Sequence, residues 1–191
     1  MARQLIVANW KMNPASEQEA ERLLRAAVAC AKKYRRPRII VAPPFPYLSR
    51  AKRLIGRNGA IALAAQDAFW EKEGAYTGEV SPAMLKKLGV SYVILGHSER
   101  REHLGETNAM INRKVRAALK IGLRVILCVG ERERAPDGNV FSDFVKTELT
   151  EGLAGAPRRL FPGLIIAYEP ICLKPLAAAR WERSLLFTAD R

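Results

Sequence analysis

Two spacings of apolar residues alternate along this chain. Short β-branched runs at 5–10 (LIVANW), 38–43 (RIIVAP), 60–66 (AIALAAQ), 91–97 (SYVILGH), 124–130 (RVILCVG) and 164–170 (LIIAYEP) predict six strands. Between the first two, Ala20, Leu23, Leu24, Ala27, Val28 and Ala31 fall at i, i+3, i+4, i+7, i+8 and i+11, the stripe of an amphipathic helix. Ser16 and Glu19 stand ahead of that stripe as a capping box. Similar punctuation predicts helices from Pro46 to Gly56, from Ser81-Pro82 to Gly89, over 106–122 and over 139–153.

Strands this uniformly apolar, separated by helices, imply a parallel sheet buried on both faces with right-handed crossovers, so the class is α/β. A doubly wound sheet and a closed barrel both suit the rhythm. The first strand–helix turn, NWKMNP, lacks the glycines that a dinucleotide-binding turn requires, and no P-loop follows any strand. Polar residues gather instead at the carboxyl ends of strands: Asn9 and Lys11 after the first, His97 after the fourth, Glu169 after the sixth. In a (β/α) barrel those ends share one face, where sites are built.

Composition adds limits. With 49% hydrophobic and 27% charged residues over 191 positions, the chain is expected to fold as a globule. No apolar run reaches the 18 or so residues of a membrane span and no signal pattern opens the chain, so the expectation is a cytosolic protein without membrane contact. Cys30, Cys128 and Cys172 lack CxxC pairing and sit among small or apolar neighbours, which predicts reduced core thiols rather than a disulfide or a zinc site. The net charge of +13 raises nucleic acid as a partner. Its densest cluster, KKYRRPR at 32–38, closes a predicted helix, where cations complement the macrodipole, and no nucleic-acid motif accompanies it.

Three side chains carry candidate chemistry. Lys11 is placed to meet a phosphate or a developing oxyanion, with an exposed loop lysine as the competing reading. His97, between a buried strand and a helix start, is expected to stay neutral and to donate to a carbonyl oxygen; a purely structural histidine is the alternative. Glu169, partly withdrawn from water, would serve as a base toward a C–H proton beside a carbonyl, or else as an ordinary cap. Glu99 would pair with Lys11, or form a surface salt bridge.

ANWKMN at 8–13, AQDAFWEKEGAYTGEVSPAMLKKLGVSYVILGHSERR at 65–101, CVGE at 128–131 and AYEP at 167–170 together resemble the triosephosphate isomerase family, in order from about residue 4 to residue 170. The resemblance implies a TIM (β/α)8 barrel, here with about six βα units. It also implies interconversion of dihydroxyacetone phosphate and D-glyceraldehyde 3-phosphate, in glycolysis and gluconeogenesis, without metal or cofactor. By that resemblance Glu169 moves the proton, His97 polarises the carbonyl, Lys11 and Asn9 bind substrate, and Glu99 orients Lys11. The segment around Thr77 matches the family's dimer loop and implies a homodimer.

The resemblance stops after Pro170. The expected division is therefore a partial barrel domain at 1–170 and an atypical tail at 171–191, ICLKPLAAARWERSLLFTADR, which resembles neither the family's lid nor its seventh strand. A shifted reading frame or truncation is the leading explanation for the tail, and an inactive homologue acting as a binding or scaffold protein is the alternative function. Strands one and six are expected to be open edges, with apolar inner surface lacking cover, or with a short helix around AAARWERSLLF patching part of it.

Overall fold

The computed structural model describes residues 4–34, 37–56, 61–131 and 143–169, and the backbone of 185–187. In chain order the elements are β1 (Leu5–Asn9), α1 (Glu17–Lys33), β2 (Arg38–Ala42), α2 (Phe45–Ile55), β3 (Ile61–Ala65), α3 (Pro82–Leu88) and β4 (Tyr92–Leu95). There follow α4 (Ser98–His103), α5 (Asn108–Lys120), β5 (Arg124–Val129), α6 (Asp143–Gly152), a 3-10 helix (Arg158–Gly163), β6 (Leu164–Tyr168) and β7 (Leu185–Phe187). Strands β1 to β6 pair in sequence order and all in parallel, as a partial α/β barrel.

Local chemistry sets the helix starts. Ser16, Ser81 and Thr107 cap α1, α3 and α5, their hydroxyls accepting from the backbone N–H of Glu19, Met84 and Met110. Helix α1 buries Ala20, Leu24 and Ala31 along the predicted stripe. Cys30 is exposed, against the expectation of a core thiol, because the buried stripe takes its neighbour Ala31 and leaves position 30 on the solvent side. Cys128 is buried, and Cys172 lies outside the described residues. Residues 139–142 of the predicted last helix also lie outside them. The 3-10 helix was not foreseen; Pro157 and Pro162 leave its sequence without a helical apolar period.

Strand parity separates two apolar layers. Ile39, Val41, Leu63, Val93, Leu95, Val125 and Leu127 belong to the cluster shared with the helices. Ile40, Ala42, Ala62, Ala64, Tyr92, Ile94, Ile126, Cys128 and Ala167 form a second cluster on the inner face of the curl, with Leu5, Val7 and Ile165 at its margin. That inner cluster is buried, which narrows the expectation of uncovered apolar surface to the margin, where Leu5, Val7 and Ile165 on β1 and β6 are only partly buried.

The sixth strand is not an open edge either. Leu185–Phe187 runs antiparallel to β6, with Tyr168 opposite Leu185 and Ile166 opposite Phe187. An unpaired row of backbone groups is satisfied by the chain's own Leu-Leu-Phe run, which also replaces the suggested helix at those residues. Among the described residues, β1 pairs with β2 alone.

Candidate active site

Period-two alternation carries the inner face of each strand to the carboxyl-end mouth. The inner series Leu5, Val7 continues to Asn9, the series Ala62, Ala64 to Gln66, and the series Ile165, Ala167 to Glu169. Polar residues therefore replace the apolar layer where the strands end.

Lys11 holds a left-handed backbone with φ 54°, unusual for a residue with a β-carbon. Two interactions hold it there. Its backbone N–H donates to Asn9 Oδ1 at 3.0 Å, and Gln66 Nε2 donates to the carbonyl oxygens of Lys11 and Ala42, both at 2.8 Å. A strained conformation fixed by neighbours is a sign of a positioned side chain. The ammonium reaches Glu99 Oε1 at 2.8 Å, both groups remaining about one-third exposed.

His97 caps α4. Its Nδ1 accepts from the Glu99 backbone N–H at 3.3 Å, so the hydrogen of the neutral ring belongs on Nε2. A protonated ring would set an N–H against that backbone N–H. The residue is only 7% exposed, and in that tautomer Nε2–H is the ring's remaining donor. That nitrogen lies 3.6 Å from Glu169 Oε2, and Glu99 Oε2 lies 3.7 Å from Nδ1. The structure thus brings Lys11, Glu99, His97 and Glu169 into one continuous cluster drawn from the ends of β1, β4 and β6.

Glu169 extends the β5–β6 ladder by one bond, its N–H donating to the Val129 carbonyl at 2.8 Å. Its Oε2 is buried and accepts no hydrogen bond among the described residues. Cys128, in the inner layer beneath, has its thiol pushed well up by burial, and then by the charge of Glu169 and a hydrogen bond to it. A neutral thiol beside a carboxylate can donate but does not compete as a base. Thiol labelling of the folded protein at pH 8 is accordingly expected to modify Cys30 rapidly and Cys128 only after unfolding, a difference that peptide mass mapping reads directly.

Behind the site, β4 and β5 approach closely at Gly96. With φ at 75°, a β-carbon there would lie 3.0 Å from the Cys128 carbonyl oxygen and 3.1 Å from an Arg101 guanidinium nitrogen. Arg101 Nε in turn donates to the Gly96 carbonyl at 2.8 Å and its Nη1 pairs with the buried Glu148 at 3.2 Å, while Glu148 Oε2 accepts from Gly130 N–H at 3.0 Å. Gly96→Ala is expected to cost about 1–2 kcal/mol from the backbone conformation alone. Displacing the adjacent His97 by as little as about 1 Å is expected to lower kcat by roughly 100-fold. Urea unfolding and steady-state kinetics on the variant check the two effects separately.

Thr77 stands exposed on the loop between β3 and α3. That loop is braced by Phe69, whose ring packs on Trp70 and Tyr76 at centroid distances of 4.1 and 4.7 Å. The sequence reading did not single out Gln66, Arg101, Glu148 or the role of Cys128 beside Glu169. Gln66 had a usable signal: a long amide directly after the apolar run of β3, at the same strand-end position as the residues already chosen. Arg101 and Glu148 had none, since each reads locally as a charge on a helix surface.

A curled parallel sheet whose carboxyl ends gather a carboxylate, an imidazole and an ammonium defines an α/β-barrel protein with titratable groups clustered at the strand mouth. The chain belongs to the triosephosphate isomerase family: the family model described as "Triosephosphate isomerase" matches residues 4–173. A relative of that name from Dictyoglomus thermophilum is 43% identical over 171 residues, covering 90% of this chain and 68% of the relative. Another from Geobacter metallireducens is 42% identical, covering 90% and 67%. A third, from Thermoanaerobacter pseudethanolicus, is 44% identical over 173 residues, covering 90% and 68%. Membership places the chain among isomerases. Among the described residues no helix is long and apolar enough to cross a membrane.

Proposed function

We propose that the protein interconverts dihydroxyacetone phosphate and D-glyceraldehyde 3-phosphate by proton transfer through an enediolate. The observation that carries this reading is the 3.6 Å approach of the His97 Nε2 edge to an undonated, buried oxygen of Glu169, beside an ammonium held by Glu99. A carboxylate base paired with a neutral imidazole is the scheme associated with this family, and the side chains found here fit it.

In that scheme the Glu169 carboxylate takes a proton from the hydroxymethyl carbon of the ketose, leaving an enediolate and a carboxylic acid. His97 donates its Nε2 hydrogen to the former carbonyl oxygen and recovers one from the adjacent hydroxyl. Glu169 then returns its proton to the neighbouring carbon, so atoms balance with no co-reactant. Lys11 and Asn9 bind the substrate; the ammonium opposes the charge that develops on oxygen, and Glu99 fixes its position. No step needs a metal or cofactor. The same reading gives a homodimer formed through the loop that bears Thr77, and a cytoplasmic role in glycolysis and gluconeogenesis, with nucleic acid and membrane as no part of it.

A coupled assay with D-glyceraldehyde 3-phosphate tests the proposal. Turnover well above the uncatalysed rate is expected, and a folded protein with no turnover overturns it. Light scattering behind size exclusion tests the dimer separately.

A further inference from the structure

Away from the strand mouth, the outer side of α5 carries Arg113, Arg116 and Lys120, spaced so that they share one face of the helix. Arg159 of the 3-10 helix joins them around an open cleft of about 500 Å3, within the range of small-molecule sites. The cleft shares no lining residue with the site formed by Lys11, His97 and Glu169.

The four cations are not equivalent. Arg113 is already committed, its guanidinium lying 4.2 Å from the centre of the Trp70 ring and pairing with Glu71 at 3.2 Å. Arg116, Lys120 and Arg159 have no ion-pair partner among the described residues. Arg116 and Lys120 are also a like-charged pair at i and i+4, an arrangement that repels until an anion is present. Among the described residues Glu71 is the one carboxylate lining the cleft, and Arg113 engages it. The remaining charge of three matches a diphosphate or triphosphate group, which guanidinium forks bind through paired N–H donors. Ala117, Pro157 and Leu160 add an apolar wall beside the cations, suited to a flat organic group.

We propose that this cleft binds a nucleoside di- or triphosphate, with Arg116, Lys120 and Arg159 on the phosphates and Ala117, Pro157 and Leu160 against the nucleoside. Isothermal titration of the full chain with ADP, ATP and inorganic pyrophosphate tests it. One site per chain is expected, with binding weakened several-fold between about 50 and 300 mM salt, since exposed charges are screened over that range. ADP is expected to bind more tightly than pyrophosphate, and equal affinity overturns the assignment of the apolar wall.

Arg116→Ala combined with Lys120→Ala is expected to weaken ADP binding at least tenfold, and Arg159→Ala separately to weaken it several-fold, with the unfolding midpoint unchanged. Addition of a triose phosphate or inorganic phosphate distinguishes the cleft from the strand mouth, because neither is expected to displace ADP. Absence of binding by all three probes, displacement by triose phosphate, or affinity within twofold of the parent in folded variants of both kinds overturns the proposal. These readouts do not depend on isomerase turnover, so the cleft and the strand-mouth function stand or fall independently.

Discussion

Glu169→Gln is expected to lower kcat by about 100- to 10,000-fold, the range for loss of a positioned general base, while KM changes by no more than a few-fold. The amide keeps the shape of the carboxylate and its place one residue beyond β6, where the backbone bond to Val129 holds it. What it loses is the capacity to accept a proton at the buried Oε2, which faces His97 Nε2 at 3.6 Å and accepts no hydrogen bond among the described residues. A fall in kcat at near-constant KM marks an interaction made in the transition state and not in ground-state binding. A second readout is exchange of the substrate's carbon-bound hydrogen with deuterated solvent, which requires the base and should vanish with it. Glu169→Asp, which withdraws the carboxylate by one methylene, should fall between the parent and the glutamine variant. If Glu169→Gln retains kcat within threefold, Glu169 is not the base.

The reach of the sequence differed between the frame and the support of the site. Six parallel strands were legible because each is a short apolar run, with β2 to β5 buried on both faces and β1 and β6 mostly half-buried, and the caps at Ser16 and Ser81 announced their helices. Asn9, Lys11, His97 and Glu169 were legible because a polar group directly after such a run contrasts with everything before it. The Glu99–Lys11 pair also formed as expected, at 2.8 Å. The left-handed turn at Lys11 was hidden, since it depends on Gln66, 55 positions away. The antiparallel closure of β6 was hidden too: a three-residue pairing requires knowing which edge is unsatisfied, and that is a property of the assembled sheet. Cys30 misled because its neighbours in sequence are small and apolar, whereas burial on a helix is decided by angle around the axis.

A charged residue inside a buried stripe is a signal of another kind, and Lys114 is the case. It lies on α5 among the buried Ile111, Val115, Ala118 and Leu119, only 3% exposed. Its ammonium donates to both oxygens of Asp67 at 2.9 and 2.8 Å and to Glu106 at 2.5 Å, while Arg100 bonds the same two carboxylates at 2.8 and 2.6 Å. Asp67 and Glu106 are themselves buried, so two cations and two carboxylates lock the end of β3 to α4 and α5 beneath the segment that bears His97.

Lys114→Met keeps the length and apolar stem of the side chain but leaves two buried carboxylates with Arg100 alone. The expected loss is about 3–5 kcal/mol of unfolding free energy at pH 7, the cost of removing one partner from a buried ion pair. The loss is expected to depend on pH, and the two carboxyls show why. Burial pushes Asp67 above the usual carboxylate range, outweighing Lys114 and Arg100, so it destabilises the fold as pH rises through its native titration. For Glu106, burial acts in the same direction but is overcome by the hydrogen bonds and charges of Lys114 and Arg100, which hold its carboxyl below the usual range. Its contribution is present above the unfolded pKa and lost as pH falls through the folded one. Without the ammonium, Glu106 loses the largest influence holding it down and Asp67 the largest opposing its rise. The gap in stability between parent and variant should therefore narrow toward about pH 4–5, where unperturbed carboxyls begin to protonate. Urea titrations of both proteins at pH 7 and pH 4.5 measure the gap, and adding Asp67→Asn to the variant should recover part of the loss at pH 7 by removing one of the stranded charges. A gap under 1 kcal/mol at pH 7, or one that widens in acid, would mean that Lys114 is accommodated by its stem packing and not by the carboxylates it touches.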